Sequence, residues 1–236
     1  MNRDAFLAAV SGRLIVSCQA GHGHPFRDTS AIVRMALAAV EGGAAAIRCG
    51  GVGGVADVAA VRAAVDLPVV GLTKDPGADV FITPTVAAAL AVVAAGADVV
   101  AVDGTVRPRP DGRSLRDTVS AVHEAGRLVM ADVATFEDGL YAAAAGADVV
   151  GTTLSGYTTG GTPPEEPDLD LVARLVQALP SVPVIAEGRY RTPHEAGAAM
   201  RTGALAVVVG TAITDPVRIT RDFVRGVEDG RPEAGR

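Results

Sequence analysis

The chain has 236 residues, 49% of them hydrophobic, 20% charged and 3% aromatic, with a formal net charge of −6 and no Trp. That length suits one large α/β domain, and the apolar content excludes a disordered chain. An acidic chain with no basic run and few stacking rings is a poor partner for nucleic acid.

No apolar run approaches the ~20 residues of a membrane span, so no membrane association is expected. The only cysteines are Cys18 and Cys49, which argues against a disulfide framework and fits a reducing, cytoplasmic setting. The opening MNRDAFLAAVSGR is too weakly apolar for a secretory signal and reads as a short leading helix. Eight short apolar runs follow: Leu14–Ser17, Ala45–Ile47, Val69–Leu72, Val99–Val102, Leu128–Ala131, Val149–Gly151, Val184–Ala186 and Ala206–Val209. Between them apolar residues recur at helical spacing, as in Ile32, Met35, Ala36, Ala39 and Val40, or Val86, Leu90 and Val93. Continuous apolar strands alternating with helices mean parallel strands covered on both faces. Eight such units predict an α/β fold of the (β/α)8 TIM-barrel type, one domain over 1–236 with a tail that frays after about 228. The hexapeptide AGADVV occurs at Ala95–Val100 and again at Ala145–Val150, each time as helix end, Gly turn and strand start, as a repeated unit requires.

Chemistry in such a barrel collects where the strands end, here at Gln19, Arg48, Lys74, Asp103, Asp132, Thr152-Thr153, Glu187 and Gly210-Thr211. Lys74 in an apolar mouth loses hydration, and its pKa falls toward that of a usable base. Glu187 shifts the opposite way and can hold a proton, so the two can remove one proton and return another. Asp132 suits sugar hydroxyls or a cation, and Gln19 and Arg48 suit substrate positioning. Asp103 is equally a structural partner for Arg107 or Arg109. The Thr152–Thr158 stretch, with Thr153 and Tyr157, offers hydroxyl groups to a sugar, whereas its Ser155 has no evident base.

A metal site is not expected. His22 and His24 share a Gly-rich loop read as solvated, with no third ligand, and His123 and His194 read as surface residues. The segment Pro183–Pro216 reads as strand, loop, helix, strand, loop, with Thr192-Pro193-His194-Glu195 as the helix start. The loops after the last two barrel strands are the usual phosphate seat, which marks Gly188, Arg189, Gly210 and Thr211 as phosphate-binding candidates.

From about Gly12 to Phe223 the chain resembles the N-acylglucosamine-6-phosphate 2-epimerases, also called N-acetylmannosamine-6-phosphate 2-epimerases. The resemblance is carried by LIVSCQA (Leu14–Ala20), GGAAAIR (Gly42–Arg48), VGLTK (Val70–Lys74), ITPT (Ile82–Thr85) and VMAD (Val129–Asp132). It continues through TTLSGYT (Thr152–Thr158), AEGR (Ala186–Arg189), Thr192-Pro193 and VVVGTAIT (Val207–Thr214). It implies a TIM-type barrel that interconverts N-acetylmannosamine 6-phosphate and N-acetylglucosamine 6-phosphate in sialic acid and amino-sugar breakdown. It also implies a cytoplasmic, cofactor-independent isomerase, with homodimers as the family precedent. Lys74 and Glu187 match the family's catalytic pair, Gln19, Arg48 and Asp132 its sugar-binding positions, and the Gly188-Arg189 and Gly210-Thr211 turns its phosphate seat. One departure stands out: where the family usually continues VVVGTAIT with Arg-Pro, this chain has Asp215-Pro216. Two other readings compete: a different phosphosugar isomerase using Asp103 and Asp132 as its acid–base pair, and a phosphosugar-binding protein without turnover.

Overall fold

Eight parallel strands close on themselves in sequence order, β1 (Leu14–Cys18), β2 (Ala46–Gly51), β3 (Val69–Thr73), β4 (Val99–Asp103), β5 (Leu128–Asp132), β6 (Val149–Gly151), β7 (Val184–Glu187) and β8 (Ala206–Val209). This computed structural model describes residues 1–231 apart from Thr159 and Gly161. The expected (β/α)8 barrel is therefore the observed one, and every expected strand is present. The largest difference lies in β2, which runs on to Gly51 and leaves Arg48 in mid-strand. Its extension is glycine-dependent: Gly50 sits at φ 108° beside β3, where a Cβ would come within 2.0 Å of the Leu72 carbonyl oxygen.

The helices are α1 (Arg3–Val10), α2 (Thr29–Glu41), α3 (Gly54–Ala64), α4 (Val86–Ala94), α5 (Leu115–Glu124), α6 (Phe136–Ala145), α7 (Leu169–Ala178), α8 (Pro193–Arg201), α9 (Thr211–Thr214) and α10 (Pro216–Asp229). The expected start of α8 holds: Thr192 Oγ1 accepts from the Glu195 N–H at 3.2 Å, and Glu195 Oε2 accepts from the Thr192 N–H at 2.9 Å. Residues 232–236 of the expected tail lie outside the described residues.

Strand alternation sorts the apolar residues into two layers. Ile15, Ala46, Val70, Val99, Met130, Val149, Ile185 and Val208 fill the barrel interior, which Phe6 and Val10 of the leading helix α1 join. Val16, Ile47, Val100, Val129 and Val150 point outward and meet the helices. The same inward parity, two residues further along at Ser17, Arg48, Asp132 and Glu187 and four further along at Lys74 and Asp103, sends these six side chains toward the C-terminal end of the barrel. The barrel thus gathers the polar groups by geometry alone.

Candidate active site

A cavity of about 660 Å³ opens at that mouth, lined among others by Gln19, Lys74, Thr153, Glu187, Gly210 and Arg218. Each key side chain is fixed through its backbone. The Lys74 N–H donates to the Gly51 carbonyl at 2.9 Å, and Lys74 pairs with Ile82 in a short antiparallel bridge. Beside it, the buried Thr83 takes φ 42° and its Oγ1 accepts from the Thr73 N–H at 3.1 Å. Glu187 is clamped twice by one hydroxyl: Thr152 Oγ1 donates to its carbonyl at 2.9 Å and accepts from its N–H at 3.0 Å.

Under the cavity floor lies a buried ion pair. Arg48 donates to both oxygens of Asp132, at 3.2 Å and 2.6 Å, and its Nε stands 3.2 Å from Glu187 Oε1. Thr153 Oγ1 completes the group by donating to Asp132 Oδ1 at 2.5 Å. Arg48 is 1% exposed and Asp132 fully buried, and neither is among the residues that line the cavity, whereas Glu187, which Arg48 Nε approaches, is. The fork of a bidentate arginine holds a carboxylate in one orientation, which a lysine would not.

Electrostatics follow from this packing. Burial lowers the Lys74 pKa, the Arg48 guanidinium lowers it further, and Glu187 and Asp132 oppose them. Burial raises the Glu187 carboxyl to about 7, aided by Asp132 against the pull of Arg48 and Lys74. The sequence expectation for both groups agrees with these directions.

Three buried side-chain atoms lack a hydrogen-bond partner among the described residues: Gln19 Oε1, Arg48 Nε and Glu187 Oε2. An unmade buried hydrogen bond costs about 1–3 kcal/mol, so a cluster of them marks where a polar ligand contributes most. The Gln19 amide is held ready by its Nε2, which donates to Ser17 Oγ at 2.9 Å.

At the other side of the mouth, Gly188 (φ 114°) and Arg189 (φ 63°) turn the chain sharply after β7. The Arg189 guanidinium is already engaged: Nε donates to the Glu166 carbonyl at 2.7 Å, Nη1 to the Ser155 carbonyl, and its Cζ lies 5.7 Å from the centre of the Tyr157 ring. Arg189 therefore braces the loop after β6, and what it offers the cavity is chiefly its backbone turn. Gly210 and Thr211 line the cavity as β8 gives way to α9, which is tied to β1 by Thr214 Oγ1 donating to the Ser17 carbonyl at 2.8 Å.

Asp215 caps α10, accepting from the Arg218 N–H at 2.9 Å, and His24 Nε2 bonds the same oxygen at 3.1 Å. The loop expected to be solvated is thus pinned at His24, while His22 is exposed. A second clamp had no clear signal in the sequence: Arg27 donates to both oxygens of the fully buried Asp57, at 2.8 Å and 3.1 Å.

Asp103 belongs to a separate network. It accepts from Arg107 Nη2 at 2.7 Å and from Thr105 Oγ1 at 2.6 Å, while Arg109 donates to its carbonyl. That engagement leaves no free Asp103–Asp132 pair for an isomerase of the paired-aspartate kind. Ser155 is likewise committed, donating to Asp168 at 2.7 Å.

The family model described as "Putative N-acetylmannosamine-6-phosphate epimerase" matches residues 32–229. A protein of that 2-epimerase name from Corynebacterium glutamicum (strain R) is 46% identical over 221 residues, covering 94% of this chain and 95% of the relative. One from Cutibacterium acnes is 48% identical over 227 residues, covering 94% of this chain and 98% of its own length. The solved N-acetylmannosamine-6-phosphate 2-epimerase from Clostridium perfringens superposes with a TM-score of 0.88 at 41% identity, over 93% of this chain and 95% of that one. A thiamine phosphate pyrophosphorylase from Pyrococcus furiosus, at 20% identity and a TM-score of 0.62, shares the fold alone. Likeness that runs along nearly the whole barrel, beyond what fold alone brings, decides the assignment: the chain belongs to the family of N-acetylmannosamine-6-phosphate epimerases.

Proposed function

We propose that this protein is an isomerase that interconverts N-acetylmannosamine 6-phosphate and N-acetylglucosamine 6-phosphate by moving a proton at C2. In the open-chain sugar, C2 is alpha to the C1 aldehyde, so its hydrogen is removable with formation of an enolate. Lys74, kept toward its neutral form by burial and by Arg48, takes that proton. Glu187, kept toward its protonated form, supplies or relays a proton to the opposite face, which inverts C2. Gln19 Oε1 accepts a sugar hydroxyl, Thr153 and Tyr157 border the sugar, and the Gly188-Arg189 and Gly210-Thr211 turns hold the phosphate. Binding energy from that far end then places C2 between acid and base. Every step is a proton transfer, so the reaction calls for no organic cofactor.

The observation that carries this reading is that Glu187 and Gln19, each with a buried side-chain oxygen lacking a partner among the described residues, line the same cavity as a lysine whose pKa burial lowers. In D₂O the protein is expected to convert N-acetylmannosamine 6-phosphate into its gluco epimer carrying deuterium at C2, as followed by proton NMR. Binding of the sugar without conversion or exchange would overturn the proposal.

A homodimer and a cytoplasmic setting belong to the same reading. No described helix is long and apolar enough to cross a membrane. Helix α10 buries none of its residues and leans chiefly on the short α9. Phe223 is 74% and Val227 66% exposed, four residues apart on one face, and a second copy of this chain is the occupant we assign to them. Phe223→Asp combined with Val227→Asp is expected to yield a monomer in sedimentation equilibrium where the parent is a dimer. A monomeric parent at micromolar concentration would remove the dimer.

A further inference from the structure

A sugar phosphate brings a dianion into a cavity whose rim also carries carboxylates, so some cation must favour it over the free sugar. Besides Lys74, assigned to the proton transfer, three cations line the cavity: Arg189, Arg191 and Arg218. Arg189 is spent on two backbone carbonyls, as described above. Arg191 stands 3.6 Å from Glu165 in an exposed ion pair. Arg218 differs from Arg189 in its unpartnered amino groups and from Arg191 in being held in place by hydrogen bonds. Its Nε donates to the two oxygens of Asp222, at 3.1 Å and 3.0 Å, and neither of its Nη groups has a partner among the described residues.

Asp222 is itself shared, because Arg225 Nη2 donates to its Oδ1 at 3.2 Å, so one carboxylate offsets two guanidinium groups. The backbone of Arg218 is fixed by the Asp215 cap. Burial raises the Asp215 pKa, but the Arg218 N–H and His24 outweigh it and hold this carboxyl below the usual range. Asp215 is therefore an anion that cannot accept a phosphate, and it orients the neighbour that can. Arg218 reaches the cavity from the first turn of α10, next to Gly210 and Thr211, with 38% of its side chain exposed. A planar guanidinium with both amino groups free matches two phosphate oxygens at once.

We propose that Arg218, aimed by Asp222 and by the Asp215 cap, is the residue that makes this site select phosphorylated over unphosphorylated amino sugars. The inference rests on the sugar-phosphate reading of the cavity given above. Its test is calorimetric, which separates it from turnover. Wild type, Arg218→Ala and Arg218→Lys are titrated with N-acetylglucosamine 6-phosphate and, in competition, with N-acetylglucosamine. Arg218→Ala is expected to lose affinity for the phosphorylated sugar roughly ten- to a hundredfold. The preference over the free sugar shrinks by the same factor, and Arg218→Lys recovers part of it. Unchanged affinity in Arg218→Ala, or an equal loss for both sugars, would show a merely structural arginine. Wild-type binding of the phosphosugar without epimerisation would overturn the catalytic reading and leave Arg218 standing, whereas a wild type with no preference for the phosphate overturns the role of Arg218.

Discussion

Lys74→Ala is expected to lower the rate of epimerisation by roughly 10²–10⁴-fold, the range that a positioned general base contributes. The barrel should survive, because the backbone contacts that hold position 74, to Gly51 and Ile82, do not involve the side chain. Its thermal midpoint at pH 7 should be unchanged or higher, since burial penalises the lysine ammonium in the folded state. Lys74→Arg sharpens the test. Arginine keeps the charge but cannot give up its proton in a protein, so it should be as inactive as alanine. Substantial turnover by the arginine variant would show that position 74 supplies charge and not basicity.

Glu187→Gln is expected to cut turnover by a comparable factor and, unlike most active-site changes, to stabilise the fold in a pH-dependent way. The carboxyl is raised from 4.5 to about 7 on folding, so the native state binds more protons than the unfolded chain between those values. The stability Glu187 contributes is thus present below its unfolded pKa and lost as pH rises through about 7. At pH 8 the buried carboxylate should cost on the order of a few kcal/mol, which glutamine relieves. Melting curves of variant and parent should therefore diverge at pH 8 and converge toward pH 5. A second sign follows for its neighbour. Glu187 holds the Lys74 pKa up, so its neutralisation should move the titration of Lys74, read by its reactivity toward an acylating reagent, to lower pH. Melting curves that keep the same separation at both pH values would mean that Glu187 is not a buried acid.

Much of this was legible without coordinates. The Val-rich runs at β3, β4 and β5 can form only strands covered on both faces, and eight of them separated by Ala-rich helical stretches close a barrel at this length. The polar residue ending each run marks the mouth, which is why Lys74 and Glu187 could be named from their positions in the chain. Sequence order does not carry depth. Arg48 reads as a strand-end residue in the chain, yet Cys49, Gly50 and Gly51 extend β2 beyond it, and its guanidinium is buried in a bidentate pair with Asp132.

Nor does the chain order reveal who neutralises whom. Asp103 lies beside Asp132 in register, but Arg107 and Thr105 draw it into another network. Asp215 reads in the sequence as a reversed charge, whereas in the fold it is a helix cap bonded by His24, from a loop 191 residues away in the chain. The sequence by itself determined the barrel and its polar mouth, with Lys74 and Glu187 among the groups that line it, because strand period and residue type are local properties. Tertiary structure alone decided which polar groups are open and which are spent, because burial and hydrogen-bond partnership depend on residues that meet only when the ring closes.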